Sequence, residues 1–402
     1  MPSAFLHPFA KPTREQFVTI VRGDGALLYD ADGREFIDGM ASLWYCAIGH
    51  GRAEMADAIR NQAATLAAYS CFDPFTNEPV ERLAAELHNI APMPDSRVFF
   101  TSSGSEAIDS AMKLARITHV LAGQPQRKLI ISRGRGYHGV AYGGTSAQGI
   151  APNREHFGPF VDGVVQVPAD DLEALASLMA ERGREVAAVI AEPVQGAAGI
   201  YPPEEGYLAG LRRLCDQHGA WLVFDEVITG FGRLGSWFGA HHFGVTPDLV
   251  TFAKAVTSGY QPLGGVFVGS GPRAALEADP EFFLRHGFTY SGHPTACAAA
   301  LTNLGIIRRE GLVERAAHVG DRLSEGLRSL AADDVIDHTR GAGAMWAAGL
   351  RPDQHAMQVR DRMLDAGVVC RAINTDTLTF CPPLVITDSQ VDRIVDAVAT
   401  CA

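Results

Sequence analysis

The sequence predicts an α/β fold with a mostly parallel sheet, joined to a smaller α+β unit. Three observations lead there. Between about residues 53 and 290, short apolar runs of strand length alternate with segments whose apolar residues recur every three and four positions. After about residue 291 the pattern changes to long helices followed by short strands and a final helix. Finally, 402 residues of which 47% are hydrophobic exceed what one core usually serves, so two domains are expected. The expected division is an N-terminal segment at 1–52 contributing to the small domain, a large domain at 53–290, and the C-terminal small domain at 291–402.

The elements follow in order. RAEMADAIRNQAATLAAY opens the alternation as a helix, and SRVFFT (96–101) is the first strand. SEAIDSAMKLARITHVLA is a helix, KLIISR (128–133) a strand, DLEALASLMAERG a helix and VAAVIAE (186–192) a strand. GYLAGLRRLCDQHG is a helix that leads into AWLVFDE (220–226), and PDLVTFA (247–253) and GGVFVGS (264–270) complete the strands. TACAAALTNLGIIRREG, LVERAAHVGDRLSEGLRSL and SQVDRIVDAVATCA are the helices of the C-terminal part. There is no internal repeat, low-complexity tract or long linker.

Composition narrows the function. The net charge is −12 and no block of five like charges occurs, which argues against a nucleic-acid or anionic-membrane partner. The seven cysteines are scattered, with no CxxC pair and no zinc-finger spacing, as expected for a reduced cytoplasm and no structural metal. No apolar run approaches the ~18 residues needed to span a bilayer, and the N-terminus lacks a signal-peptide pattern, so a soluble, unprocessed chain is expected. GSGPR at 269 lacks the spacing and lysine of a nucleotide loop, and His241 with His242 has no further ligand at metal spacing. Lysine occurs only at Lys11, Lys113, Lys128 and Lys254, against 30 arginines. A lysine kept in such a chain invites explanation.

Ligands of open α/β sheets collect at the carboxyl ends of strands, so the residues there matter most. After SRVFFT, Ser103 and Glu106 have capping-box spacing, and Gly104 with Ser105 would present free amides and a helix dipole to a phosphate. After KLIISR, GYHG sets Tyr137 and His138 on a loop where an aromatic could stack on a planar ring. Asp225 closes a run too apolar to solvate a carboxylate cheaply and therefore needs a cationic partner. Lys254 directly follows PDLVTFA, where desolvation favours its neutral, nucleophilic amine. Each feature alone has an ordinary reading: a capped helix, a packed surface tyrosine, a salt bridge to an arginine, a snorkelling lysine. For Glu226 the ordinary reading is preferred, an ion pair with an arginine such as Arg233. Together the features describe an anion cradle, a stacking face, a buried carboxylate and a buried lysine at one sheet edge. Pyridoxal 5'-phosphate, joined to Lys254 as a Schiff base, requires all four.

The strings SSGSEA, GYHG, AEPVQGAAG, VFDEVITGFGRLGSWFG, PDLVTFAKAVTSGYQPLGGVFVG and HGFTYSGHP resemble, in order and across roughly residues 6–383, the class III (omega) aminotransferases of fold type I. The resemblance implies a large domain with a mostly parallel seven-stranded sheet flanked by helices, and a smaller α+β domain. It implies that Lys254 and Asp225 are catalytic, Asp225 as partner of the pyridine nitrogen. Val227 and Tyr137 would lie on opposite faces of the cofactor ring, with Ser103, Gly104, Ser105 and His138 also at the cofactor. Thr289 would complete the phosphate site from the other subunit of a homodimer or dimer of dimers.

The same resemblance assigns a substrate pocket to Phe9, Trp44, Tyr137 and Ala197, to Phe72 and Phe288 from the partner subunit, and to Arg371 as the group that binds a substrate carboxylate. Family members that use 2-oxoglutarate typically carry glutamate after VQG. Ala197 stands there instead, as in relatives that use pyruvate. The expectation is therefore transfer of an amino group from an amine or ω-amino acid to pyruvate. The alternatives are a glutamate-dependent aminotransferase such as a 4-aminobutyrate enzyme, and a decarboxylase or aminomutase of the same class.

Overall fold

The computed structural model describes residues 4–402. Its centre is a seven-stranded sheet in the order Arg97–Thr101, Gly264–Val268, Leu249–Phe252, Trp221–Asp225, Val186–Ala191, Leu129–Arg133 and Val164–Val167. Gly264–Val268 runs antiparallel to both of its neighbours, while the other strands share one direction. Six of these strands lie where the apolar runs predicted them. The seventh, Val164–Val167, is an edge strand of four residues with only Val167 buried, so it lacks the continuous apolar signature of its neighbours.

Side chains alternate across this sheet with period two, and the two faces fill separate cores. Ile130, Ala188, Ile190, Val223, Leu249 and Val266 pack with Ile108, Ala111 and Leu114 of the helix Gly104–Leu121. Leu129, Ile131, Val189, Phe224, Val250 and Phe252 face the other way, into the larger cluster that holds Leu208 and Leu211 of the helix Tyr207–His218. Burial on both faces explains why Val186–Ala191 has no exposed position at all.

Two four-stranded sheets flank this body. One joins Ile20–Asp24, Leu27–Asp30 and Glu35–Asp38 to Val368–Val369, so the beginning and the end of the chain share a sheet. The other is ordered His338–Ala342, Met345–Gly349, Thr377–Phe380, Arg371–Ile373. The helices expected in the C-terminal part form at Pro294–Arg309, Leu312–Ala332 and Asp388–Cys401. The helix Glu78–Ile90 adds to the expected set, capped by Asn77 and burying Val80, Leu83, Leu87 and Ile90 on one stripe. Among the described residues no helix is long and apolar enough to cross a membrane.

Candidate active site

The carboxyl ends of the parallel strands converge on a cavity of about 190 Å³. Ser103, Gly104, Ser105, Tyr137, His138, Asp225, Val227 and Lys254 all line it. Eight residues from four separate stretches of sequence, singled out for one ligand, thus meet at one place.

Lys254 follows the strand Leu249–Phe252 by two residues and stands in the left-handed region at φ 50°. A β-carbon makes that conformation costly, by about 1–3 kcal/mol, and such strain collects at functional sites. Its amine has no hydrogen bond or ion pair among the described residues. Burial lowers the amine from the usual 10.5 to about 8, with Asp225 and Glu192 pulling the other way. The result is a lysine whose neutral form is accessible near neutral pH.

Asp225 is the last residue of Trp221–Asp225 and is buried. Its Oδ2 lies 2.8 Å from His138 Nδ1, while Oδ1 accepts the Val227 N–H at 3.1 Å and the Thr251 hydroxyl at 3.2 Å. A carboxylate offers about four acceptor positions, so one is left for a cationic donor inside the cavity. The ordinary reading of Asp225, an ion pair with an arginine, is not met among the described residues; a histidine and a hydroxyl flank the carboxylate and leave room for the expected cationic ring nitrogen.

At the phosphate end, Ser103 caps the helix Gly104–Leu121 by accepting the Glu106 N–H at 3.2 Å. The reciprocal bond predicted by capping-box spacing is displaced by one residue: the Glu106 carboxylate accepts the N–H of Ser102, at 2.7 Å, in place of that of Ser103. The first-turn N–H groups of Gly104 and Ser105 have no carbonyl within the helix to bond and face an anion-attracting dipole end. Glycine at 104 leaves room for the Val227 γ-methyls, which a Cβ would approach to 3.0 and 3.1 Å and push aside by a few tenths of an ångström. These features fit pyridoxal phosphate: a cradle of amides, the Val227 methyls beside it, a buried carboxylate, and a lysine with no partner of its own.

Glu226 corrects one expectation. Its fully buried carboxyl makes no ion pair among the described residues; it accepts from the Ala240 N–H at 2.7 Å, the Thr229 hydroxyl at 2.8 Å and the Gly239 N–H. Arg233 instead donates to the carbonyls of Pro382, at 2.7 Å, and Ala344. Burial pushes the Glu226 carboxyl up to about 7.

Glu192, which sequence reasoning missed, also lines the cavity. It follows Val186–Ala191, accepts the Tyr137 N–H at 2.9 Å and the Gly196 N–H at 3.0 Å, and is pushed up to about 6 by burial. An acid at the end of a wholly apolar strand was its signal, the same one that marked Asp225.

The pocket residues divide. Trp44 is buried and belongs to one apolar cluster with Ile228, itself a cavity residue. Ala197 is half-buried on the loop after Glu192. Arg371 and Tyr137 influence each other's charge, and Arg371 makes no ion pair or side-chain hydrogen bond among the described residues. None of Phe9, Trp44, Phe72, Ala197, Phe288, Thr289 and Arg371 lines the cavity itself in this single chain; Phe9, Phe72 and Thr289 are exposed. Phe72 lies over Gly287, so it neighbours the segment that carries Phe288 and Thr289.

The sequence pattern of the family described as aminotransferase class-III matches residues 9–401. The diaminobutyrate–2-oxoglutarate transaminase of Halomonas elongata is 38% identical, over 94% of this chain and 88% of that protein. The beta-alanine–pyruvate aminotransferase of Pseudomonas aeruginosa is also 38% identical, over 99% and 94%. Among solved structures, an amine transaminase from an uncultivated Pseudomonas species, in its PLP-bound form, superposes with a TM-score of 0.94 at 36% identity, covering 100% of this chain and 98% of that one.

Proposed function

Starting from the fact that the chain belongs to the class III aminotransferases and works with pyridoxal phosphate, we propose that it transfers an amino group from an amine or ω-amino acid to pyruvate, giving alanine and an aldehyde or ketone. The observation that carries the acceptor is Arg371, a partly buried guanidinium near enough to Tyr137 and Lys254 to influence their charge and with no carboxylate partner among the described residues. A bidentate fork of this kind binds the carboxylate of a keto acid. The loop Ala197–Ile200 lies against the strand Arg371–Ile373, since a Cβ on Gly199 would be 3.7 Å from Ile373 Cγ2. With alanine at 197, that loop offers no acid to neutralise Arg371 when an uncharged amine enters.

Bound pyridoxal phosphate supplies an electron sink that lets the carbon next to nitrogen lose a proton. The Lys254 amine would move that proton from the donor's carbon to the C4′ carbon of the cofactor in the donor half-reaction, and would carry a proton the opposite way in the acceptor half-reaction, which its accessible neutral form permits. Asp225, oriented by His138 and Thr251, holds the ring-nitrogen proton. The Gly104 and Ser105 N–H groups would bind the phosphate, and Tyr137 and Val227 would hold the ring. We further infer a cytoplasmic homodimer in which Phe72, Phe288 and Thr289 reach the partner's site; all seven cysteines are free, and these three residues stand outside their own chain's cavity.

One observation favours a second reading, 2-oxoglutarate as acceptor: the relatives named for 2-oxoglutarate and for pyruvate are equally similar. A panel of amines assayed with pyruvate against 2-oxoglutarate separates the two. Alanine formed in preference to glutamate is the expected outcome, and preferential glutamate formation refutes the pyruvate assignment.

A further inference from the structure

Residues 38–50 hold an arrangement that the transamination chemistry does not use. Three residues in four, Ala41, Ser42 and Trp44, have φ of 45°, 61° and 69°, in a region that side chains rarely adopt. The buried carboxylate of Asp38 spans this turn: Oδ1 accepts the Met40 N–H at 3.1 Å and Oδ2 the Ser42 N–H at 2.7 Å. The same Oδ2 lies 2.8 Å from His50 Nε2, and His50 Nδ1 lies 3.6 Å from Cys46 Sγ.

Cysteine, histidine and aspartate in a row suggest a nucleophile. Burial, and then the Asp38 charge, push the Cys46 thiol up, so the proton stays on sulfur and no thiolate is available. The network therefore runs from thiol S–H to Nδ1 and from Nε2–H to carboxylate, an orientation assigned from the donors and acceptors present.

This turn stands behind the candidate site and connects to it through Cys381 and Ile228. The Gly39 carbonyl accepts the Cys381 N–H at 2.7 Å, and Cys381 and Lys254 influence each other's charge. Trp44 packs in one cluster with Cys381 and with the cavity residue Ile228. We propose that Asp38, locked by His50, is a specificity-positioning clamp that holds the strained turn so that Trp44 limits the size of amine the site accepts. The proposal rests on the aminotransferase reading above and on Trp44 facing the amine.

The test measures kcat/KM, with pyruvate as acceptor, for a bulky aryl-alkyl amine and for a short ω-amino acid, and follows their ratio. His50→Gln should raise the ratio about ten-fold, the scale of losing one hydrogen bond to a buried charge, while melting of the holoenzyme reports whether the variant stays folded. Asp38→Asn, closer in shape, should move the ratio in the same direction. Trp44→Ala should raise it at least as far, and His50→Gln added to Trp44→Ala should leave the ratio where Trp44→Ala put it. If both kcat/KM values fall together in His50→Gln and Asp38→Asn while Trp44→Ala changes the ratio, the clamp is overturned and the pocket reading survives. If Trp44→Ala leaves the ratio unchanged, the pocket role of Trp44 falls and the clamp with it. No transamination by the wild-type protein with any amine would refute the enzyme reading instead.

Discussion

Lys254 should be the group whose ionisation sets how fast the apoenzyme takes up its cofactor. Burial brings its amine from 10.5 to about 8. At pH 7 roughly one molecule in ten then carries the neutral amine, against roughly one in three thousand for an ordinary lysine, a difference of about 3 kcal/mol. The assay mixes apoenzyme with pyridoxal phosphate between pH 6 and 10 and follows the rise in visible absorbance. The rate should climb about ten-fold per pH unit and level off near pH 8. Asp225, the larger of the two carboxylates that hold the ammonium form, supplies the internal control. In Asp225→Asn the levelling point should move to lower pH. A rate that keeps rising to pH 10 in the wild type would show that Lys254 is not desolvated. An upward move in Asp225→Asn would refute the electrostatic account even if the wild-type profile agreed.

Other outcomes follow from the same geometry. Gly104→Ala should weaken cofactor retention on dialysis and lower stability by about 1–3 kcal/mol, because its Cβ would press on the Val227 methyls at 3.0 Å. Arg371→Ala should cut kcat/KM for the keto acid by about 10- to 100-fold while changing an uncharged amine far less, as measured in separate half-reactions. Glu226 is raised in the fold from 4.5 to about 7, so its stabilising contribution is complete below pH 4.5 and is lost as pH rises through 7. Glu226→Gln lacks that loss. It should be less stable than wild type at pH 5, and the gap in unfolding free energy should narrow by up to about 3 kcal/mol by pH 8.

The sheet and much of the site were legible because they rest on local signals. A strand covered on both faces must be continuously apolar, so Val186–Ala191, Trp221–Asp225 and Leu249–Phe252 announced themselves, and the polar residues that end the last two runs stood out against them. Asp225 and Lys254 were visible for that reason, as were the amides after Ser103. Val164–Val167 was not, since an edge strand with one buried residue carries no such run.

Other features depend on which distant groups come together, and spacing along the chain is silent about that. Asp225 is oriented by His138, 87 residues away. The preference of Glu226 for two backbone N–H groups and Thr229 over Arg233 follows from a short helix folding back at Gly239. Glu192 became a site residue only when Tyr137 and Gly196 turned their N–H groups onto it. The sequence by itself determined the layered α/β architecture and the chemistry of the strand ends, because hydrophobic periodicity and isolated polar residues are local properties. Tertiary structure alone decided the hydrogen-bond partners and the strained turn at Trp44, because pairing and packing depend on what lies nearby in space.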